Sequence, residues 1–335
     1  MRILVTGGSG SVGRAAVSWL VGQGHSVRVI GRRAQAPLQG VEYRACDISD
    51  YRSLKEQMQG IEGVVHLAAI PTPSLGPPQE IYRVNCAGTF NVYQAAVEAG
   101  VRRVVSASSI NAVGYLYGAV HWELDYLPLD EEHRAFTSDA YSFSKQVLED
   151  IAAYFWRREG VSGVCLRLPA VYPPESLSSL QEESRKLRDA VSTQLALGPE
   201  AEQGFARALR GTAKGVHDSR MLERPEGWPR HSDPTNRPLF YARHTLFAVL
   251  DARDSAQAIE QGLLRDYQGS HALFVGDRHN SAFLESRLLA RLFYPDVPLR
   301  TELRGTESLV SIDRARTLLG FEPRYSVSRF WAGGD

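Results

Sequence analysis

The chain has 335 residues, enough for two domains or one large domain with an elaborated half. Lys plus Arg and Asp plus Glu both number 38, so no whole-chain field argues for nucleic acid or an anionic membrane as partner. Cys46, Cys86 and Cys165 are odd in number and outside any metal-ligand spacing, which points to reduced thiols in a cytoplasmic protein and to no metal site; no apolar run approaches the ~20 residues of a membrane span.

In chain order, Ile3-Leu4-Val5 is a short β-branched run of the kind that forms a central parallel strand buried on both faces. The chain enters it directly from Met1, and no signal peptide is expected. The glycine-rich stretch TGGSGSVG, residues 6–13, follows, and then an amphipathic run from Arg14 to Val21. A glycine turn between strand and helix lets the backbone approach a phosphate that faces the helix N-terminus. The next strand, residues 26–30, ends in Gly31-Arg32-Arg33, where NAD-binding units carry a carboxylate for the ribose 2′-hydroxyl. A guanidinium there suits a 2′-phosphate, favouring NADP(H) over NAD(H); the alternative is a solvated basic loop.

Strands are also expected over residues 41–46, leading into Asp47-Ile48, and over 63–69, ending in the small residues Ala68-Ala69 where a cofactor can pass closely. His66 reads as an interior histidine or one near the nucleotide. A proline-rich loop at residues 71–78 precedes a helix from about Gln79 to Gly100, with Gly100 as its stop. The strand at residues 103–107 ends in Ser108-Ser109, hydroxyls placed either for a substrate at a strand C-terminal end or for capping a turn. Tyr141 and Lys145 stand four apart, so on a helix they share one face about one turn apart. A phenol beside an ammonium is a proton-transfer device, because an adjacent cation favours the phenolate.

Beyond residue 175 the pattern turns polar and helix-prone, and residues 211–238 are rich in Gly, Pro, Arg and His. Arg207, Arg210, Arg220, Arg224 and Arg230 either meet an anionic group or lie on a solvated face. Residues 250–256 lead into a helix, residues 271–275 read as a last strand, residues 281–292 as an apolar-periodic helix, and Asp313 opens a final helix.

Taken together, TGGSGSVG at 6–13, CDISD at 46–50, VVHLAA at 64–69, VNCAGTFNV at 84–92, SASSINAVG at 106–114, YSFSK at 141–145, LRLPAVYPP at 166–174 and SIDRARTLLGFEP at 311–323 resemble the extended short-chain dehydrogenase/reductases of the NAD-dependent epimerase/dehydratase family. The resemblance implies an α/β Rossmann fold, a doubly wound parallel sheet with a smaller, mostly helical substrate domain. Residues 1–174 with 245–280 would form the nucleotide half, and residues 175–244 with 281–335 the substrate half. It implies a Ser109, Tyr141, Lys145 triad: Ser109 bonding the substrate oxygen, Ser108 if the register slips by one, Tyr141 as acid/base, and Lys145 holding the nicotinamide ribose and depressing the tyrosine pKa. Gly7, Gly10, Ser11, Val12 and Gly13 would bind the pyrophosphate. Arg32, Arg33, Asp47, Ile48, Leu67, Ala68, Ala69, Asn85 and Pro169 would complete the NADP or NAD site with Tyr141 and Lys145.

The implied activity is hydride transfer at a secondary alcohol or ketone of a sugar or sugar nucleotide, by epimerase or dehydrogenase. Alternatives are an NADP(H)-dependent reductase of a non-nucleotide carbonyl compound and a catalytically silent dinucleotide-sensing or RNA-binding protein. Three departures bear on this. Ala170 stands where sugar-nucleotide enzymes often carry Asn, residues 115–122 look like an insertion, and Asn111-Ala112 replaces the Asp-Glu pair of the dehydratases. Without those carboxylates a 4,6-dehydratase has no evident acid/base pair. A homodimer through helices near residues 87–99 and 141–155, carrying Phe90, Val97, Leu148, Ile151 and Phe155, is a further expectation.

Overall fold

The computed structural model describes residues 1–35, 38–196, 198 and 237–331. The five arginines singled out between residues 207 and 230 lie outside the described residues. Nine strands are described: β1 (Arg2–Thr6), β2 (Ser26–Gly31), β3 (Glu42–Ala45), β4 (Gly63–His66), β5 (Arg103–Ser109), β6 (Ser162–Leu168), β7 (Ala170–Tyr172), β8 (Val249–Asp251) and β9 (Ser270–Phe274). Seven form one parallel sheet in the order β3-β2-β1-β4-β5-β6-β9, while β7 pairs with β8. The order reverses between β1 and β4, which opens a crevice at the strand C-terminal ends.

Alternation along each strand assigns the two faces. Ile3, Val5, Val29, Val105 and Val164 pack with Val17 and Leu20 of α1 (Ser11–Gly22). Leu4, Val64, Val104 and Cys165 pack on the other face, with Leu54 of α2 (Tyr51–Gln57). The helix expected from Gln79 to Gly100 is interrupted: α3 (Pro78–Tyr82) runs through a π turn (Arg83–Ala87) into α4 (Gly88–Glu98). Gly100, at φ 80°, ends it as expected, with Val101 N–H donating to the Ala96 carbonyl. Val92 and Tyr93 of α4 join Leu148, Ala152 and Phe155 of α5 (Ala140–Glu159) under the sheet.

A third cluster joins the 115–129 segment to the smaller half. Tyr115, Trp122 and Leu127 pack with residues of α6 (Leu177–Ala196), with Leu239 and Ala242 of α7 (Arg237–His244), and beyond it with Phe247. The sheet side is completed by Ile259 and Leu263 of α8 (Ala252–Leu264). Leu289 and Phe293 of α9 (Ser286–Phe293) lie in the third cluster, whereas Ala315 and Leu319 of α10 (Asp313–Leu319) pack with the sheet. Residues 115–129 thus pack in the third cluster, and residues 312–321 in the cluster on the α1 face of the sheet. Residues 324–327 are tied to α8 and to the segment after β9 by two buried acids. Asp254 accepts from the Arg324 and Tyr325 amides, and Asp277 from the Ser326 hydroxyl and the Val327 amide.

β6 lies so close to β5 that a Cβ on Gly163 would stand 1.9 Å from the Val104 carbonyl oxygen. Gly163→Ala must spread two central strands, and we expect it to destabilise the fold by about 2 kcal/mol or more. A melting temperature within about 1 °C of wild type would show that the strands have room.

Candidate active site

The turn after β1 is built by close approach. Gly7 adopts φ 71°, and a Cβ on it would stand 2.6 Å from the Ala68 nitrogen; one on Gly13 would stand 2.3 Å from the Gly7 carbonyl oxygen. Only glycine satisfies both positions. Gly10 caps α1 without a side-chain bond, so the first amides of that helix stay open to an anion. They face a cavity of about 660 Å³.

Of the expected cofactor residues, the cavity is lined by Gly7, Gly10, Ser11, Val12, Gly13, Arg32, Asp47, Ile48, Leu67, Ala68, Ala69 and Pro169, with Ser109, Tyr141 and Lys145 at its other end. Arg33 and Asn85 are not among its lining residues. The Arg33 carbonyl instead accepts from the Tyr43 hydroxyl at 2.8 Å. Asn85 turns inward and brackets Ile70, accepting from its amide at 2.8 Å and donating to its carbonyl at 3.0 Å. Through that bracket it shapes a wall the sequence reading missed, Ile70-Pro71-Thr72. The proline-rich composition of that loop was its only signal. An elongated crevice at the sheet reversal, with open helix amides midway and an arginine at one end, fits a dinucleotide.

At the end of the cavity lined by Ser109, Tyr141 and Lys145, Asp139 caps α5 by accepting from the Ser142 amide at 2.8 Å. Tyr141 and Lys145 follow in its first turns, both buried. The Ser109 hydroxyl accepts from the Asn111 amide at 3.1 Å and lies on the Tyr141 side, where it favours the phenolate. Ser108, the other candidate, donates instead to Glu149 at 2.6 Å. Glu149 also takes two bonds from Arg167, at 2.9 and 2.8 Å. Tyr117, from the apparent insertion, sits edge-on to Tyr141 with ring centroids 5.6 Å apart.

Electrostatically the site is dry. Burial pushes the Tyr141 phenol well above its usual range, and the Ser109 hydrogen bond opposes that rise. The depression expected from Lys145 is not what this geometry shows. Its ammonium donates to the Ala107 carbonyl at 2.7 Å and lies 5.7 Å from the Tyr141 ring centroid. Burial lowers Lys145 itself to about 8. His66 is an interior residue, bonded to Thr6 and Thr89.

The Lys145 shift has a measurable sign. Between about 8 and the ordinary 10.5 the unfolded chain holds a proton that the folded chain has lost, so this group adds stability as pH rises through that window. The stability difference between wild type and Lys145→Met should therefore change across that window in favour of wild type. A difference that stays flat in denaturant titrations on both sides of the window would show that Lys145 titrates normally.

Residues 3–210, more than half of the chain, match the model of the NAD dependent epimerase/dehydratase family. An L-arabinose 1-dehydrogenase (NAD(P)(+)) of Haloferax volcanii is 31% identical over 217 residues, covering 63% of this chain and 83% of that protein. A uronate dehydrogenase of Pseudomonas syringae pv. tomato is 27% identical over 174 residues, covering 51% of this chain and 60% of the relative; the match thus spans less than two thirds of that relative. A short-chain dehydrogenase/reductase superfamily protein from Agrobacterium tumefaciens, solved with bound NAD, superposes with a TM-score of 0.64 at 24% identity, covering 98% of this chain and 94% of that one. At that identity the likeness speaks for the fold, the doubly wound parallel sheet described above. With the family model spanning the glycine turn, the β5 serines and the Tyr141–Lys145 helix, the chain belongs to the NAD dependent epimerase/dehydratase family.

Proposed function

We propose that this protein is an NAD(P)-dependent dehydrogenase that oxidises a carbinol of a free sugar, with Ser109, Tyr141 and Lys145 as its working groups. The observation that carries the reading is their convergence at one end of the cavity whose middle is the glycine turn. Gly7, Gly10, Ser11, Val12 and Gly13 would hold the pyrophosphate, Arg32, Asp47 and Ile48 the adenosine end, and Lys145 the nicotinamide ribose. The bound nicotinamide supplies the hydride acceptor. Ser109 orients the substrate hydroxyl and Tyr141 takes its proton. Because burial keeps the resting phenol protonated, Tyr141 needs the opposing pull of the Ser109 hydroxyl to act as base. In the reverse direction the same phenol is a ready proton donor.

A free sugar is preferred to a sugar nucleotide on two grounds. The two relatives named above are dehydrogenases of an aldose and of uronates, and Ala170 at the start of β7 offers no side-chain amide. Substrate recognition is assigned to the smaller half, residues 175–244 and the part of 281–335 that packs with it. A net dehydrogenase must exchange its cofactor each turnover, and Arg32 at the adenosine end favours NADP. We also infer a homodimer through α4 and α5. Leu148 and Phe155 are taken up inside the chain, but Phe90 and Phe143 remain 40% and 45% exposed, and Tyr82 stacks on Phe143 at the same surface. A sedimentation mass of one chain would refute the dimer.

Tyr141→Phe should lower kcat by roughly 10²–10⁴-fold while leaving dinucleotide affinity almost unchanged; retained turnover would sink the mechanism. Arg32→Ala should weaken NADP binding roughly tenfold or more, by loss of a charge-assisted contact, and NAD binding little. Equal losses for both would remove the 2′-phosphate role. Mass spectrometry of nucleotide released on denaturation separates the readings within the family, since stoichiometric bound NAD marks an internally cycling epimerase.

A further inference from the structure

Beneath the cavity floor, buried polar groups form one continuous chain from the glycine turn to the catalytic helix. Thr6, the residue before Gly7, accepts from the amides of Leu67 at 3.2 Å and Ala68 at 3.1 Å, two residues of the cavity wall. Its Oγ1 also lies 2.8 Å from His66 Nδ1. On the other side of the ring, His66 Nε2 lies 2.9 Å from Thr89 Oγ1, and the Thr89 hydroxyl donates to the Asn85 carbonyl. The Asn85 side-chain amide donates to Ser144 Oγ at 3.0 Å, and the Ser144 hydroxyl donates to the Tyr141 carbonyl at 2.7 Å. Thr6, His66, Asn85, Thr89 and Ser144 are each at most 1% exposed.

The proton inventory fixes the direction of every link. Thr89 has one hydroxyl hydrogen, engaged with Asn85, so the bond to His66 must use an Nε2–H. That leaves Nδ1 as acceptor, and Thr6, whose two lone pairs already receive two amides, supplies its only hydroxyl hydrogen to it. One neutral tautomer satisfies the whole set. A charged ring would set a second N–H against an oxygen with no lone pair left. Burial, with the Lys145 charge second, also drives His66 down to about 3.

Resting on the acid/base reading of Tyr141, we propose that His66, Thr89, Asn85 and Ser144 are positioning residues that lock the dinucleotide turn and the first turn of α5 to one another. Apolar groups of the same shape would fill this space with similar stability. Directional bonds add a fixed registry between two elements that must hold cofactor and phenol at one separation, and small misplacements there are costly to rate. Thr6 and His66 act on the turn and the cavity wall, Ser144 acts on the helix, and Thr89 and Asn85 join the two ends. None of these five side chains needs to touch substrate.

Thr89→Val removes the central hydroxyl at nearly constant volume, and Thr89→Ser restores it. We expect Thr89→Val to lower kcat roughly tenfold and weaken dinucleotide binding severalfold, with both recovered in Thr89→Ser. Ser144→Ala, which cuts only the helix end, should lower kcat with dinucleotide affinity unchanged. Dinucleotide affinity is read by quenching of intrinsic fluorescence, independently of turnover. If Tyr141→Phe is inactive while folded Thr89→Val and Ser144→Ala keep wild-type kcat and affinity, the positioning role is overturned and the catalytic reading stands. If Tyr141→Phe keeps its activity, the catalytic reading fails and this inference fails with it. Should Thr89→Val not fold, Ser144→Ala decides alone by whether kcat falls without a change in affinity.

Discussion

No side chain fits between the turn after β1 and the end of β4, and the site depends on that contact. A Cβ at Gly7 would stand 2.6 Å from the Ala68 nitrogen, so the backbone itself forms the wall between the glycine turn and the strand end. The contact fixes where α1 starts and therefore where its open amides point. Because β1 and β4 are sheet neighbours, it also sets the crevice where the strand order reverses. β5 lies beside β4 and delivers Ser109 to the same edge, and the next long helix, α5, brings Tyr141 and Lys145 to meet it. One backbone approach thus places the glycine turn and the Ser109, Tyr141 and Lys145 side chains at two points of a single cleft.

What could be read without coordinates follows from how local each constraint is. The glycine turn is legible because only one residue type tolerates that approach, and the Tyr141–Lys145 pair because helical period alone puts them on one face. The strands announce themselves as β-branched runs buried on both sides. Ser108 and Ser109 are equivalent in the sequence and differ only in what each meets, Glu149 for the first and Tyr141 for the second. The π turn at Arg83–Ala87 is invisible for the same reason. It accompanies the inward turn of Asn85, whose partners Ile70 and Ser144 are 15 and 59 residues away. The packing of residues 115–129 and 312–321 is likewise decided by surfaces formed elsewhere in the chain.

A dry site carries a constraint of its own. Burial opposes charge on Tyr141 and on Lys145 together, raising the phenol and lowering the ammonium to about 8. The surroundings answer mostly with dipoles: the Ala107 carbonyl on Lys145 and the Ser109 hydroxyl on Tyr141. The full charges next to them, Glu149 and Arg167, are paired with one another. In so low a dielectric, a second uncompensated cation would push Lys145 further down and strip its charge at neutral pH. That requirement explains why the buried chain beneath the floor is built from hydroxyls, amides and an imidazole whose partners admit only its neutral form. A histidine free to gain a proton at that depth would set a second cation against Lys145, whose charge already disfavours protonation of His66.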